Sequence, residues 1–148
     1  MIIIVLSMVA TVAFAILYQI PARAIVSVGC LGAVAELFML AAAHYHVGLA
    51  AASFVASLVV SLLSEALARV QRMPVTVFAV PGIIVLVPGM EAYAAMKDFV
   101  VHQYVLGLAT GTQTVLIAGA LASGLVIAGI LARSVWRPRI HGPEQTRG

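Results

Sequence analysis

Residues 78–93 read FAVPGIIVLVPGMEAY. The stretch is apolar enough for a membrane interior, yet it carries two Pro-Gly pairs, Pro81-Gly82 and Pro88-Gly89. Proline removes a backbone donor and crowds the preceding turn, while glycine has the most backbone entropy to lose, so both are poor inside a helix. In a bilayer no water is present to satisfy peptide groups, and an uninterrupted helix is the default. The pairs therefore predict an interrupted helix that frees the carbonyls of Val77 and Ile84 toward protein or a hydrated cavity. Pro88-Gly89, followed by Glu91 and Lys97-Asp98, is expected to end or reorient the helix near the outer side. Pro81-Gly82 lies deeper and is the expected break within the span; a plain kink is the alternative.

The remainder of the chain supports a membrane setting. Of 148 residues 64% are hydrophobic and 9% charged, and the mean hydropathy is +1.16; soluble domains carry roughly one-quarter charged residues. Long apolar runs without period-2 alternation predict an all-α integral membrane protein. Five spans are expected, at about 2–20, 24–43, 47–66, 73–94 and 114–132, with the fourth interrupted by the Pro-Gly pairs. The alternative is four spans without the second run, which moves only Arg23 to the other side; the length and apolarity of that run favour five. Residues 103–132 hold no charge and exceed one span of about 20 residues, so 99–112 is read as an interfacial or loop segment. Residues 1–133 form one transmembrane domain and 134–148 a basic cytoplasmic tail, with Trp136 and its neighbouring arginines as an interfacial anchor. The first run carries "AFA" at 13–15, which mimics a signal-peptide cleavage site, but residues 1–22 contain no Lys or Arg, so it is read as a retained span.

Charge sets the expected orientation. With five spans Arg23, Arg69, Arg72, Arg133, Arg137, Arg139 and Arg147 share one side and only Lys97 falls on the other. The positive-inside rule then places the N-terminus outside and the C-terminus in the cytoplasm. The net charge of +3 belongs to flanks facing anionic lipid, and no aromatic-interleaved basic patch points to nucleic acid.

Polar residues inside the spans are the informative ones, because ionisable groups at membrane depth face protein or water. Glu36 lies near the centre of the second span, where Gly29, Gly32 and Ala33 thin the helix; it reads either as a titrating or substrate-facing carboxylate or as a protonated group bonded between helices. In the third span Ser53, Ser57, Ser61, Glu65 and Arg69 recur every fourth residue and form one polar stripe, with Glu65 and Arg69 in the favourable order for an ion pair. The stripe reads as a small-residue packing seam or as the lining of a hydrated pathway. Ala120, Gly124 and Ala128 read as a second packing seam. Cys30 reads as a small core residue, and His44 and His46 as part of a solvated loop. No nucleophile elbow, His-Glu-x-x-His or phosphate-cradling loop occurs, which argues against a familiar enzyme and calls for no metal or cofactor.

The segments IPARA at 20–24 and RMPVTVFAVPGIIVLVPGMEAYAAM at 72–96 resemble the threonine/serine exporter family, closely its small split subunit, which corresponds to the C-terminal half of single-chain members. The matching positions are Pro21, Arg23, Pro74, Pro88, Gly89, Tyr93 and Met96; Glu36 departs from the pattern. The resemblance implies export driven by the proton-motive force, of threonine and serine or, in a two-component member, of succinate-like dicarboxylates. It also implies five spans per half, a larger membrane subunit of the same family as partner, and the bacterial inner membrane as location, with self-association as a further option. On this reading Glu36, Ser53, Ser57, Ser61, Glu65, Pro81, Gly82, Pro88, Gly89 and Tyr93 are the expected pathway residues. A non-transporting membrane scaffold is the rival class.

Overall fold

The computed structural model describes residues 2–135. Of the expected basic tail, residues 134 and 135 are the end of the last helix, and 136–148, with Trp136 and the last three arginines, lie outside the described residues. Six helices follow in order: α1 (Ile2–Leu17), α2 (Ala22–His44), α3 (Leu49–Gln71), α4 (Thr76–Ile84), α5 (Gly89–Val100) and α6 (Tyr104–Val135). There is no strand among the described residues. α2, α3 and α6 are long and apolar enough to cross a membrane, and α4 and α5 together form a further apolar pair bent by 48°. At 1.5 Å per residue α1 is about 24 Å long, short of the roughly 30 Å hydrocarbon layer.

Four of the helix ends share one closure. At each, a residue other than glycine takes a left-handed conformation: Gln19 (φ 55°), His46 (φ 53°), Arg72 (φ 51°) and His102 (φ 63°). The next amide then reaches back over the last turn, Ile20 to Ala15 at 3.0 Å, Val47 to Ala42 at 2.9 Å, Met73 to Ala68 at 2.9 Å and Gln103 to Asp98 at 2.8 Å. These are Schellman closures, which satisfy carbonyls that the helix leaves without partners. Because none uses glycine, the usual sequence mark of a helix end is missing, and the expected first run to residue 20 stops as helix at Leu17. Pro21 then caps the start of α2 with φ −54°, a torsion that proline already favours.

α3 is the hub, packed against α2, α4 and α6, while α1 lies on α2 and α4, and α5 on α6. The core is built around Val28 and Leu31 of α2, Val60 of α3, Phe78 of α4, and Ile117 and Leu121 of α6, all at most 5% exposed. Glycines set the closest approaches. A Cβ at Gly32 would land on the Thr11 hydroxyl, and one at Gly29 would stand 2.9 Å from Val12 Cγ2; this thinning seats α1 against α2. A Cβ at Gly124 would land on Ser57 Oγ and stand 2.7 Å from the Phe54 carbonyl. The second seam thus joins α6 to α3, with Gly124 and Ala128 buried and Ala120 half-buried.

Two contacts give the relative direction of α3 and α6. Ser57 meets Gly124, and further along both helices Arg69 Nη2 donates to the Ala132 carbonyl at 3.4 Å. The two helices are therefore parallel, and the chain between them must return across the bundle through α4 and α5. Gln71 of α3 donates to Ser27 of α2 at 2.6 Å, so α2 runs the opposite way.

Three expectations need correction. The break in the fourth segment falls at residues 85–88, not at Pro81, which sits inside α4. Pro81-Gly82 is buried where Val60 and Leu31 would stand 3.1 and 3.3 Å from a Cβ on Gly82, so flanking helices hold α4 together there. At the second pair the glycine is open, with nothing within 4 Å of a Cβ on Gly89, so the missing donor of Pro88 and the bias against helix before proline act there without a flanking helix to oppose them. Second, residues 104–112 are helical from the outset, because α6 runs for 32 residues. Ile117 shares a cavity with Leu49 at the start of α3, so residues 104–116, about 20 Å of helix, continue past α3 and pack on α5, where Phe99 meets Gly107. Third, Cys30 is exposed, since α2 turns Val28, Gly29, Leu31 and Gly32 inward and leaves residue 30 on the opposite side.

Candidate functional site

The serine stripe of α3 is interior. Ser53 and Ser57 are fully buried, Ser61 is 5% exposed, and Ser64, absent from the sequence reading, is also fully buried. Ser64 sits three residues from Ser61 and seven from Ser57, so the same helical periodicity places it on this face. Two hydroxyls bond to the preceding turn: Ser57 Oγ donates to the Phe54 carbonyl at 2.9 Å and Ser64 Oγ to the Val60 carbonyl at 2.7 Å. The hydroxyls of Ser53 and Ser61 are buried and have no partner among the described residues. Leaving a buried polar group unmet costs about 1–3 kcal/mol.

Each of these two serines lines a cavity. The first, about 220 Å³, lies between the start of α3 and the α4–α5 break, with Ser53, Leu86, Pro88, Glu91 and Ile117 in its wall. The second, about 180 Å³, lies toward the ends of α3 and α6, with Ser61, Glu65, Val75, Ala79 and Arg133. Between them, one helical turn from either serine, Ser57 is pressed against Gly124. The α3 face therefore carries two small cavities, each with a serine and a glutamate in its wall, separated by a tight helix crossing. Both fall below the roughly 300 Å³ at which drug-sized pockets begin, which suits a metabolite of a few heavy atoms.

At the second cavity the expected ion pair is present. Arg69 Nη2 stands 3.3 Å from Glu65 Oε2 and also reaches the Ala132 carbonyl. Arg133, expected only as an orientation mark, lines this cavity with Glu65, whereas Arg69 stands outside its wall. At the first cavity Glu91, read only as marking a helix end, joins Ser53.

The other expected residues fall elsewhere. Glu36 lines neither cavity; its Oε2 accepts a hydrogen bond at 2.9 Å from Ser7, a buried residue of α1. Ser7 was missed because a lone serine in an apolar run carries no periodic signal. Thr11, one turn further, donates back to the Ser7 carbonyl at 2.7 Å. Pro81 and Gly82 are packing residues of α4, and Pro81 also borders a mostly apolar cleft of about 300 Å³ with Tyr18, Val77 and Val80. The carbonyl freed at Val77 therefore belongs to a residue of that cleft and not of the serine face. Gly89 is exposed and Tyr93 is 67% exposed, so Tyr93 points away from both cavities. Ile84, whose carbonyl Pro88 was expected to free, accepts a long bond of 3.4 Å from the Val87 amide.

Apolar helices of membrane-crossing length, with their polar groups gathered between helices, define a helical integral membrane protein with an internal polar face. A family profile described as "Threonine/Serine exporter, ThrE" matches residues 3–131, and the chain belongs to this family. Membership makes it a membrane exporter protein and points to transport rather than catalysis. No solved structure matches the chain.

Proposed function

We propose that the chain is the small membrane subunit of a secondary exporter that carries threonine, serine or a small organic acid across the bacterial inner membrane. A larger subunit of the same family completes the pathway, and the proton-motive force drives it. The observation that carries this reading is the pair of buried hydroxyls without a partner among the described residues, Ser53 and Ser61, each at a separate cavity on the same helix face. A packing seam gives no reason to bury two hydroxyls unmet, whereas a solute with hydroxyl, ammonium or carboxylate groups satisfies them in passing. The Ser57–Gly124 crossing then acts as the closure between an outer and a cytoplasmic chamber, and Glu65 with Arg133 receives the solute on the cytoplasmic side.

The parallel course of α3 and α6 supports five crossings. If α4 and α5 count as one broken span and α1 spans by local thinning of the bilayer, Arg23, Arg69, Arg72 and Arg133 all lie at one end, which the positive-inside rule places in the cytoplasm. Glu36, tied to Ser7, holds α1 to α2 and takes no part in the path. Export assays in a strain lacking other exporters, with and without this gene and its neighbour, test the proposal. Loss of threonine, serine or succinate efflux on deletion is expected; unchanged efflux of all three would refute it.

A further inference from the structure

We infer that the first cavity is a solute-binding subsite for a small zwitterion, in which the N-terminus of α5 takes a carboxylate and Glu91 takes an ammonium group. The inference rests on the exporter reading and deepens it by assigning the groups that hold the solute. Its starting point is the backbone at the break. The Gly89 amide is engaged by the Val87 carbonyl at 2.8 Å and the Ala92 amide by Pro88 at 3.1 Å, but the amides of Met90 and Glu91 have no acceptor among the described residues. No side chain caps this 12-residue helix. Both residues line the cavity. Open amides at a helix N-terminus, aligned with the positive end of its dipole, form a site for an anion.

The second observation is independent of the helix end. Ser53, on a different helix, lines the same cavity, is 0% exposed and has a hydroxyl without a partner among the described residues. It supplies one donor and two acceptor lone pairs to whatever enters.

The acceptors point to the other half of the ligand. The carbonyls of Val85 and Leu86, also in the cavity wall, accept no hydrogen bond among the described residues. They follow the C-terminal, negative end of α4, and the half-buried Glu91 carboxylate adds to them. Three open donors, the two amides and the Ser53 hydroxyl, and two open carbonyls, with one carboxylate beside them, match a molecule bearing both an anion and a cation. A dicarboxylate meets the donors equally well but leaves Glu91 facing a second negative charge. Glu91 is thus a specificity-determining residue, selecting an amino acid over a dianion of similar size.

The test uses the full-length protein, purified in mild detergent with whatever copurifies, and reads equilibrium binding of labelled L-threonine and labelled succinate. Efflux of both from cells producing the same variants is a separate readout. Ser53→Ala is expected to weaken threonine binding about five- to tenfold with no loss of thermal stability, which excludes misfolding as the cause. Glu91→Gln is expected to weaken threonine binding at least about tenfold and to leave succinate binding unchanged or tighter. Threonine affinity unaltered in both variants, or equal losses for threonine and succinate in Glu91→Gln, overturns the subsite. Efflux of threonine that persists in such variants leaves the exporter reading standing, whereas wild-type protein that binds threonine without moving any of the solutes refutes only the exporter reading.

Discussion

Replacing Gly124 with alanine tests the crossing that separates the two cavities. The new Cβ would fall on Ser57 Oγ and 2.7 Å from the Phe54 carbonyl, with the Leu58 amide nitrogen at 3.2 Å. The serine hydroxyl has the freedom to rotate away, but the carbonyl belongs to the α3 backbone. Restoring ordinary contact, which begins near 3.4 Å, requires α3 and α6 to part by about 0.7 Å along an interface packed to the density of a protein interior. Overpacking of this kind costs about 1–3 kcal/mol, and the higher helix propensity of alanine offsets up to about 1 kcal/mol. With the full offset the expected net result is a loss of about 0–2 kcal/mol, set against the gain expected at Gly119. Gly119 lies on the same helix with nothing within 4 Å of its Cβ position, so Gly119→Ala serves as the control and is expected to be neutral or to stabilise by up to about 1 kcal/mol. The assay is reversible unfolding in mixed micelles, with solute flux measured in parallel. In the double variant Ser57→Ala/Gly124→Ala part of the cost should return, because the hydroxyl clash is gone while the carbonyl contact remains. Equal stability of Gly124→Ala and Gly119→Ala, with no coupling to residue 57, would refute the reasoning.

Three further predictions follow from the same contacts. Glu36→Gln preserves an acceptor for the Ser7 hydroxyl and touches neither cavity, so efflux should stay within about twofold of wild type; abolished transport in a stably folded variant would return Glu36 to the pathway. His46→Gly relieves a left-handed backbone that side chains disfavour by about 1–2 kcal/mol, partly offset by the flexibility glycine brings to the unfolded chain, and should raise the melting temperature. Pro81→Ala should leave the 48° bend between α4 and α5 in place, whereas Pro88→Ala should reduce it. Spin-label distances between positions 80 and 96 read the difference, and a bend that responds to Pro81 alone would contradict the assignment of the break.

Much of this molecule is legible in its sequence because apolar content and period are local properties. An all-helical membrane protein, the i,i+4 serine stripe, the Glu65–Arg69 pair and the small-residue seam at Gly124 all follow from spacing along one helix, where geometry is known before any packing is. Helix ends are less legible. Gln19, His46, Arg72 and His102 close their helices without glycine, and the uncharged run before Thr114 offers no stop, so α6 begins ten residues earlier than hydropathy alone suggests.

Tertiary structure decided what the polar residues face. Whether a Pro-Gly pair breaks a helix depends on what surrounds it: Gly82, next to Pro81, is wedged against Leu31 of α2 and Val60 of α3, while nothing stands within 4 Å of a Cβ on Gly89, next to Pro88. Glu36, the most conspicuous carboxylate in the chain, is answered by Ser7 from 29 residues away, and Glu91, unremarkable after a Pro-Gly pair, is brought beside Ser53. The Pro-Gly stretch at 78–93 by itself determined that a membrane helix would be interrupted, since proline lacks a donor wherever it stands. Only the packing of α3 against its neighbours decided where the interruption falls and which backbone groups it opens, because those depend on contacts between residues far apart in the chain.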